Sequence, residues 1–120
     1  MHCNYAFYYG ATENNSVNLD VTKNLEGCCG VKMFVGSSTG NLLVKEDKYI
    51  EQVIKNSPRI VSVHSEDENM LEANKDKIIE GDVKTHYIWR SVETAMSSTK
   101  KLAHYANNHN KRVHILHISI

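Results

Sequence analysis

The chain has 120 residues, and its 14 basic and 14 acidic side chains balance to a formal net charge of zero. This length suits one domain over residues 1–120, and the balanced charge argues against nucleic acid as a partner. No apolar run reaches the roughly 20 residues of a membrane span, and no cationic segment precedes an apolar one at the N-terminus. A cytoplasmic protein without a membrane partner is therefore expected. Three cysteines, two of them adjacent at Cys28 and Cys29, match neither a disulfide framework nor a zinc ribbon.

The first half of the chain predicts two strands and one clear helix. An aromatic run over residues 4–9 predicts a strand that Gly10 ends. Residues 14–26 fit a short helix or a loop followed by a helix. The apolar run 30–35, bounded by glycines, predicts a buried strand, and the polar loop 36–41 follows it. Residues 46–55 place their apolar side chains on one helical face.

The second half continues the alternation of strands and helices. Residues 60–64 predict a strand, and 65–80 predict a helix with Ser65 as its cap and acidic residues in its first turn. Residues 90–107 have the clearest helical spacing, and 112–118 predict a final strand. Alternating strands and helices indicate an α/β fold with right-handed crossovers and a parallel sheet. Because the strands are largely apolar, we expect both faces of the sheet to be covered.

Three side chains in these strands are candidates for a metal site. Lys32 lies within one apolar strand, His64 ends the strand at 60–64, and His117 lies near the end of the strand at 112–118. Side chains alternate across a strand, and His117 is placed on one face with Val113 and Ile115. All three candidates are predicted to point to one side of the sheet, near the carboxyl ends where α/β proteins form their sites. A lysine and two histidines can hold a metal if the lysine is carbamylated.

Each of these residues also has a simpler interpretation. A histidine at the end of a parallel strand is more often a hydrogen-bonded packing residue than a metal ligand. A lysine within a strand more often extends its stem along apolar surface until its ammonium reaches water. Spacing alone leaves both interpretations open, and the other histidines are expected to be surface or packing residues (His2, His86, His104, His109 and His114).

Several motifs together resemble one enzyme family. The segments GVKMFVGSSTGNLLV, VHSEDE, HYIWRSVETAMSST and HNKRVHILHIS closely resemble the middle of dihydroorotase, in the bacterial branch that has a carbamylated lysine. The opening NYAFYYGAT resembles the strand that precedes this lysine. The similarity extends through the whole chain, without a domain-sized insertion.

The resemblance implies a fold, a reaction and a ligand set. The family has a (β/α)₈ barrel of the amidohydrolase type with two zinc ions, and it interconverts dihydroorotate and N-carbamoyl-aspartate in pyrimidine synthesis. Metal-activated water attacks a ring carbonyl that zinc polarises. By resemblance, Lys32 is the carbamylated bridging ligand, and His64 and His117 hold the second zinc. The fold expected is a partial barrel of about four parallel strands with flanking helices, roughly strands 3 to 6 of eight.

The motifs that would complete the family's site do not occur in this sequence. The family has an H-x-H pair and a following Arg on its first strand, a later Asn that binds the substrate carboxylate, and a catalytic Asp on its last strand. One metal's ligands are therefore expected at most, with no assigned catalytic residue and unknown substrate-binding residues. Loss of a general base alone costs about two to four orders of magnitude in rate, so we expect little activity from these residues alone.

Three interpretations remain open. The chain is a dihydroorotase-like hydrolase fragment that binds its small-molecule substrate only with a complementing chain. Alternatively, it is a non-catalytic metal-binding remnant whose open sheet edges favour a homo-oligomer. The least favoured is an unrelated flavodoxin-like domain whose loop GSSTGN binds phosphate, because this loop lacks the P-loop pattern.

Overall fold

The four strands form one parallel sheet in the order β1-β2-β3-β4. The computed structural model describes residues 2–37 and 40–118, so Ser38 and Thr39 of the predicted loop lie outside the described residues. The strands are β1 (Phe7–Gly10), β2 (Cys28–Val35), β3 (Val61–Ser65) and β4 (Val113–Ile115). The parallel α/β architecture predicted from the sequence is thereby confirmed.

Within the described residues, four α-helices connect or flank these strands: α1 (Asp47–Asn56), α2 (Glu68–Ala73), α3 (Thr85–Trp89) and α4 (Val92–Asn108). Helix α1 connects β2 to β3, and the other three lie between β3 and β4. None of the helices in the described part of the chain has the length and apolar character needed to cross a membrane.

The hydrophobic core lies between the helices and one face of the sheet. Alternate residues of β2 and β3 form this face, and all of them are at most 5% exposed: Val31, Met33, Val35, Val61 and Val63. Leu19, Ile54 and Leu102 from the helical layer complete the same cluster. We call this the covered face.

The opposite face, which we call the open face, carries the other residues of the same strands. Lys32 pairs in register with Ser62, and Phe34 pairs with His64. Lys32, Phe34 and His64 are only partly buried. The expectation that both faces are covered is therefore wrong for the described residues, because β2 alternates between buried and half-exposed positions along its second half.

Local hydrogen bonds explain where the helices begin. The Asp67 carboxylate accepts hydrogen bonds from the backbone N–H groups of Asn69 and Met70 and so caps α2. Ser65 was the predicted cap, but it is the last residue of β3, where its hydroxyl donates to Ser98 at 2.9 Å. The long helix predicted over 65–80 is instead the short α2 followed by a 3₁₀ turn over Lys75–Lys77.

The remaining element predictions differ from the structure mainly in their bounds. The first strand is Phe7–Gly10 rather than 4–9, and β2 begins two residues earlier than predicted, at Cys28. Within 14–26 the only helical element is a 3₁₀ turn, Leu19–Thr22, so the loop interpretation is closer. Helix α4 begins after Ser91, whose hydroxyl accepts from the Thr94 N–H, which matches the predicted helix to within two residues.

The last strand is the largest correction. Strand β4 ends at Ile115, so His117 lies two residues beyond it rather than at its end. Val113 pairs with Val61 and Ile115 with Val63, so both belong to the covered face. The predicted facing of His117 is therefore wrong, because a continued strand would direct it toward the helices. Within β4 it is His114 that pairs with Ser62 on the open face.

Candidate functional site

The candidate site lies at the carboxyl ends of β3 and β4, where a cavity of about 390 Å³ opens beside the two histidines. Its polar lining comes from His64, Glu66, Arg90 and His117. Its apolar wall consists of side chains from α4 and from the end of β4, including Val92, Ala95 and Ile115. Parallel α/β sheets form their binding sites at this end.

His64 and His117 approach each other directly in this cavity. The Nδ1 atom of His64 lies 3.1 Å from the Nε2 atom of His117, and the ring centroids are 4.8 Å apart. The two candidate histidines are therefore brought together. Two nitrogen ligands at zinc–nitrogen distances of 2.0–2.1 Å in tetrahedral geometry lie about 3.3 Å apart, close to the observed separation.

A backbone turn, and not strand alternation, directs His117 toward His64. The last hydrogen bond of the β3–β4 ladder runs from the Leu116 N–H to the Val63 carbonyl at 2.9 Å. His117 then adopts a positive φ of 38°, a region that few residues other than glycine occupy. This turn redirects the chain, so the His117 ring contacts His64 although the strand has ended.

The other nitrogen of His64 is held by a carboxylate. His64 Nε2 lies 2.8 Å from Glu66 Oε2, and the same oxygen accepts a hydrogen bond from the Arg90 guanidinium. Arg90 also donates to the Ser37 hydroxyl at 2.7 Å and lies over the Trp89 ring. The His64, Glu66 and Arg90 side chains are 12–20% exposed, so water screens these contacts only partly.

Glu66 is ionised in this arrangement. Burial of its carboxyl would raise the pKa, but the hydrogen bond from His64 and the positive charge of Arg90 together lower the pKa below its ordinary value. An ionised carboxylate can only accept hydrogen bonds. Glu66 Oε2 therefore lies as an acceptor toward both Arg90 and the Nε2 atom of His64.

Lys32 occupies the open face next to the histidine pair but makes different contacts. It is a diagonal neighbour of His64, because Lys32 pairs with Ser62 and His64 pairs with Phe34. Its ammonium donates to the Met33 carbonyl at 3.2 Å and lies 4.0 Å from the Phe34 ring centroid. Partial burial lowers the pKa of Lys32, because desolvation disfavours the charged amine.

A metal ion would need several ligands among the described residues. Nowhere among them do three or more histidine, cysteine, aspartate or glutamate side chains cluster to hold a metal ion. The Nδ1 atom of His64 and the Nε2 atom of His117 converge. Glu66 contacts the second ring nitrogen of His64, as carboxylates commonly do behind a histidine ligand. His64 and His117 could therefore supply two nitrogen ligands to a metal, and Lys32 is the remaining candidate for a third ligand. The metal role of all three remains a prediction.

Sequence reasoning missed two residues of this site. It treated Glu66 as a favourable charge in the first turn of a helix and assigned no role to Arg90. Because β3 ends at Ser65, Glu66 belongs to the loop beneath His64. The available signal was the two-residue spacing of His64 and Glu66, since residues two apart in an extended chain lie on the same side. His86, which was expected at the surface, is exposed but lines the cavity.

The solved structures that are similar to this chain share one type of fold. No protein-family model and no curated protein sequence matches the chain. Among solved structures, it is similar to an L-hydantoinase (dihydropyrimidinase) from Arthrobacter aurescens, with a TM-score of 0.84, 18% identity, and coverage of 97% of this chain and 27% of that one. A D-hydantoinase from Bacillus sp. AR9 and a dihydropyrimidinase from Brevibacillus agri NCHU1002 each give a TM-score of 0.76, 21% identity and the same coverages.

These neighbours are amidohydrolases with a (β/α)₈ barrel, and the chain spans about 27% of their length. Four parallel strands with flanking helices are the corresponding part of such a barrel. The predicted partial barrel is confirmed as the fold class.

Proposed function

We propose that this chain supplies metal ligands to a cyclic-amide hydrolase of the amidohydrolase type. Lys32, His64 and His117 are the proposed ligands, and zinc is the proposed metal. The observation that carries this proposal is the 3.1 Å approach of His64 Nδ1 to His117 Nε2, because two converging imidazole nitrogens suit tetrahedral zinc. The barrel fold of the hydantoinase neighbours supports the same assignment.

Lys32 fits the role of a carbamylated ligand on chemical grounds. Carbamylation requires an uncharged amine, whose lone pair attacks the carbon of CO₂ while the displaced proton passes to water. Partial burial lowers the pKa of Lys32 and so raises the fraction of uncharged amine. The resulting carbamate oxygens extend beyond Nζ, on the face that also carries His64. Rotation of the side chain away from the Met33 carbonyl would accompany this change.

The protein groups then have distinct tasks. His64 and His117 each present one ring nitrogen to the metal, and Glu66 and Arg90 hold the first of these rings. The cavity beside them offers an apolar wall along α4 for a ring substrate. Zinc, when bound, would polarise the ring carbonyl and generate the water nucleophile. No described residue is proposed as the general base.

Two reactions are consistent with this proposal. The sequence motifs favour interconversion of dihydroorotate and N-carbamoyl-aspartate, as in dihydroorotase. The second candidate is opening of a hydantoin or dihydropyrimidine ring, which the names of the structural neighbours favour. The pathway assignment to pyrimidine synthesis depends on the first alternative.

A complementing chain or a second copy is part of the proposal. Strands β1 and β4 lie at the two edges of the described sheet, and β1 exposes Phe7 and Tyr8 to solvent. Edge strands pair readily with other strands. Light scattering on the purified chain tests this point: a dimer or larger species is expected, whereas a stable monomer at high concentration would favour a separate complementing chain.

Elemental analysis of zinc tests the metal proposal. Protein purified with zinc and bicarbonate is expected to hold about one zinc per chain, and His64→Ala and His117→Ala are each expected to lose it. His104→Ala is the matched control, because His104 is exposed on α4 and bonds only Asn108 in the described structure. Zinc that survives both site substitutions would contradict the assignment.

Ligand titration distinguishes the two reactions. Zinc-loaded protein is titrated with dihydroorotate, hydantoin and dihydrouracil while the amide NMR signals of residues around the cavity are followed. Selective shifts with dihydroorotate would support the dihydroorotase reaction. Shifts confined to the two uncharged rings would support the hydantoinase type instead. Turnover by these 120 residues at the rate of a complete enzyme would contradict the need for a complementing chain.

A further inference from the structure

The Glu66 carboxylate lies between His64 and Arg90 and contacts both through one oxygen. Glu66 Oε2 is 2.8 Å from His64 Nε2 and also accepts from the Arg90 guanidinium. All three side chains are mostly buried. A contact of this kind fixes both the orientation of an imidazole ring and the nitrogen that carries its proton.

The proton position has a direct consequence for His64. Because Glu66 Oε2 already accepts from the Arg90 guanidinium, it also faces His64 as an acceptor, so the His64 proton belongs on Nε2 and the neutral ring keeps a lone pair on Nδ1. That lone pair faces His117 Nε2 across 3.1 Å. With the proton on Nδ1 instead, His64 would have no free electron pair to offer at this position.

Arg90 connects this arrangement to the strand that carries Lys32. Its guanidinium donates to the Ser37 hydroxyl at 2.7 Å, in the loop that follows β2. The same loop packs tightly on Glu66, because a Cβ added at Gly36 would overlap the Glu66 carbonyl oxygen. The Glu66 N–H donates to the Val35 carbonyl at 2.9 Å. Arg90 and Glu66 therefore join the ends of β2 and β3.

We infer that Glu66 and Arg90 form a positioning pair that holds His64 in the Nε2-protonated tautomer, with Nδ1 directed at the metal position. The pair acts through His64 and does not itself contact metal or substrate. The consequence for metal affinity rests on the proposed function, whereas the tautomer is a property of the metal-free chain. An ion pair with only a structural role would affect unfolding and leave the tautomer unchanged.

Nitrogen-15 NMR of the histidine rings in the metal-free chain tests the inference. At about pH 8, where an ordinary imidazole is neutral, wild-type His64 is expected to show one protonated Nε2 and one unprotonated Nδ1. Glu66→Ala is expected to populate both tautomers. Glu66→Gln is expected to retain the wild-type pattern, because its amide oxygen still accepts from Nε2. Identical tautomers in wild type and Glu66→Ala would overturn the inference.

Zinc affinity supplies a second measurement. Glu66→Ala is expected to weaken zinc binding by about 10–100-fold, the usual cost of losing a carboxylate behind a histidine ligand, and Glu66→Gln by less. Glu72→Ala is the matched control, because Glu72 is exposed on α2 and pairs only with Lys75 in the described structure. An equal loss of affinity in Glu66→Ala and the control would overturn the positioning role.

The two measurements separate the failure of one proposal from the failure of the other. If wild type binds no zinc but His64 populates both tautomers in Glu66→Ala, the metal proposal fails and the positioning pair stands. If zinc binds at His64 with the same tautomer in every variant, the metal proposal stands and the positioning pair fails. Should Glu66→Ala not fold, Arg90→Lys gives the same readout, since one shorter ammonium replaces the two guanidinium nitrogens that bond Glu66 and Ser37 separately. An unchanged tautomer in folded Arg90→Lys would remove Arg90 from the pair.

Discussion

The two faces of the sheet contain alternate residues of the same strands, yet their surroundings are opposite. Met33 on the covered face is fully buried in the hydrophobic core. Lys32, its neighbour in sequence, lies on the open face, with an ammonium that contacts a backbone carbonyl and an aromatic ring. Burial without polar contacts stabilises the fold, whereas partial burial of a polar group perturbs its chemistry. The covered face therefore carries stability, and the open face carries the candidate chemistry.

The largest effect on stability is expected from Met33→Ala. Truncation of a fully buried methionine removes apolar contacts and leaves a cavity, which lowers the free energy of unfolding by about 2–5 kcal/mol. Met33→Leu preserves the volume and is expected to cost less than about 1.5 kcal/mol. Urea denaturation measures both. A small and equal change in the two variants would show that the covered face does not determine stability.

Gly36→Ala is expected to have the next largest effect, because Gly36 combines two constraints. Its φ of 69° disfavours any residue with a Cβ, and that Cβ would meet the Glu66 backbone. Backbone strain alone costs about 1–3 kcal/mol. Gly40→Ala is the matched control, since Gly40 has a φ of 70° but a Cβ added there would have no atom of the described residues within 4 Å.

Thermal and urea unfolding of these two glycine variants measure the difference. A larger loss of stability in Gly36→Ala than in Gly40→Ala isolates the contact with Glu66 from the backbone strain. Zinc affinity should fall in Gly36→Ala alone, because only this substitution displaces Glu66 from His64. Equal losses in both variants would contradict the tight packing of the two loops.

Lys32→Ala is expected to distinguish the role of the open face from that of the covered face most clearly, because it should affect zinc binding and hardly affect stability. Removal of a partly desolvated ammonium changes the free energy of unfolding by less than about 1 kcal/mol, since few surface and half-buried charges contribute more. Zinc binding should nevertheless be lost, together with its dependence on bicarbonate. Denaturation and zinc analysis of the same sample check this pair of outcomes. Lys32→Ala protein that is strongly destabilised would place Lys32 with the core instead.

The smallest effect is expected at the surface, where Lys101 of α4 donates to Asp47 of α1 at 2.7 Å. Partial burial would lower the pKa of Lys101, but the hydrogen bond and charge of Asp47 raise the pKa above its ordinary value. A group whose pKa is raised in the folded state contributes its full stability below the unfolded pKa, which is about 10.4 for lysine. That contribution is lost as the pH rises through the folded pKa.

Exposed ion pairs contribute about 0.2–1 kcal/mol, so Lys101→Met is expected to cost that much at neutral pH. The difference between wild type and Lys101→Met should stay constant up to about pH 10 and then decline. Urea denaturation at several pH values measures it. A difference that grows at alkaline pH would have the wrong sign for this pair.

The sequence predicted the sheet well because its strands have strong local signals. An apolar run bounded by glycines identified β2, a second apolar run identified β3, and alternation placed Lys32 and His64 on one face. The short helices were less predictable. Ser65 donates its hydroxyl to Ser98 on α4, so Asp67 and not Ser65 caps α2. Helix α3 has too few residues to show a helical period.

The site itself was predictable only in part. His64 and His117 were identified by their positions at predicted strand ends and by resemblance, but the contact between them depends on a positive φ at His117 that no spacing rule indicates. Glu66 and Arg90 are separated by 24 residues in sequence. Their contact depends on how α2 and α3 place Arg90 beside the end of β3, which is a tertiary effect.

Anomalous X-ray diffraction at the zinc edge, on crystals grown with zinc and bicarbonate, tests whether the open face is a metal centre. We expect an anomalous peak within bonding distance of His64 Nδ1 and His117 Nε2, with a carbamate on Lys32 reaching the same ion. A peak elsewhere in the molecule, or an unmodified Lys32 beside a zinc that it does not contact, would contradict the assignment of the open face as a metal centre.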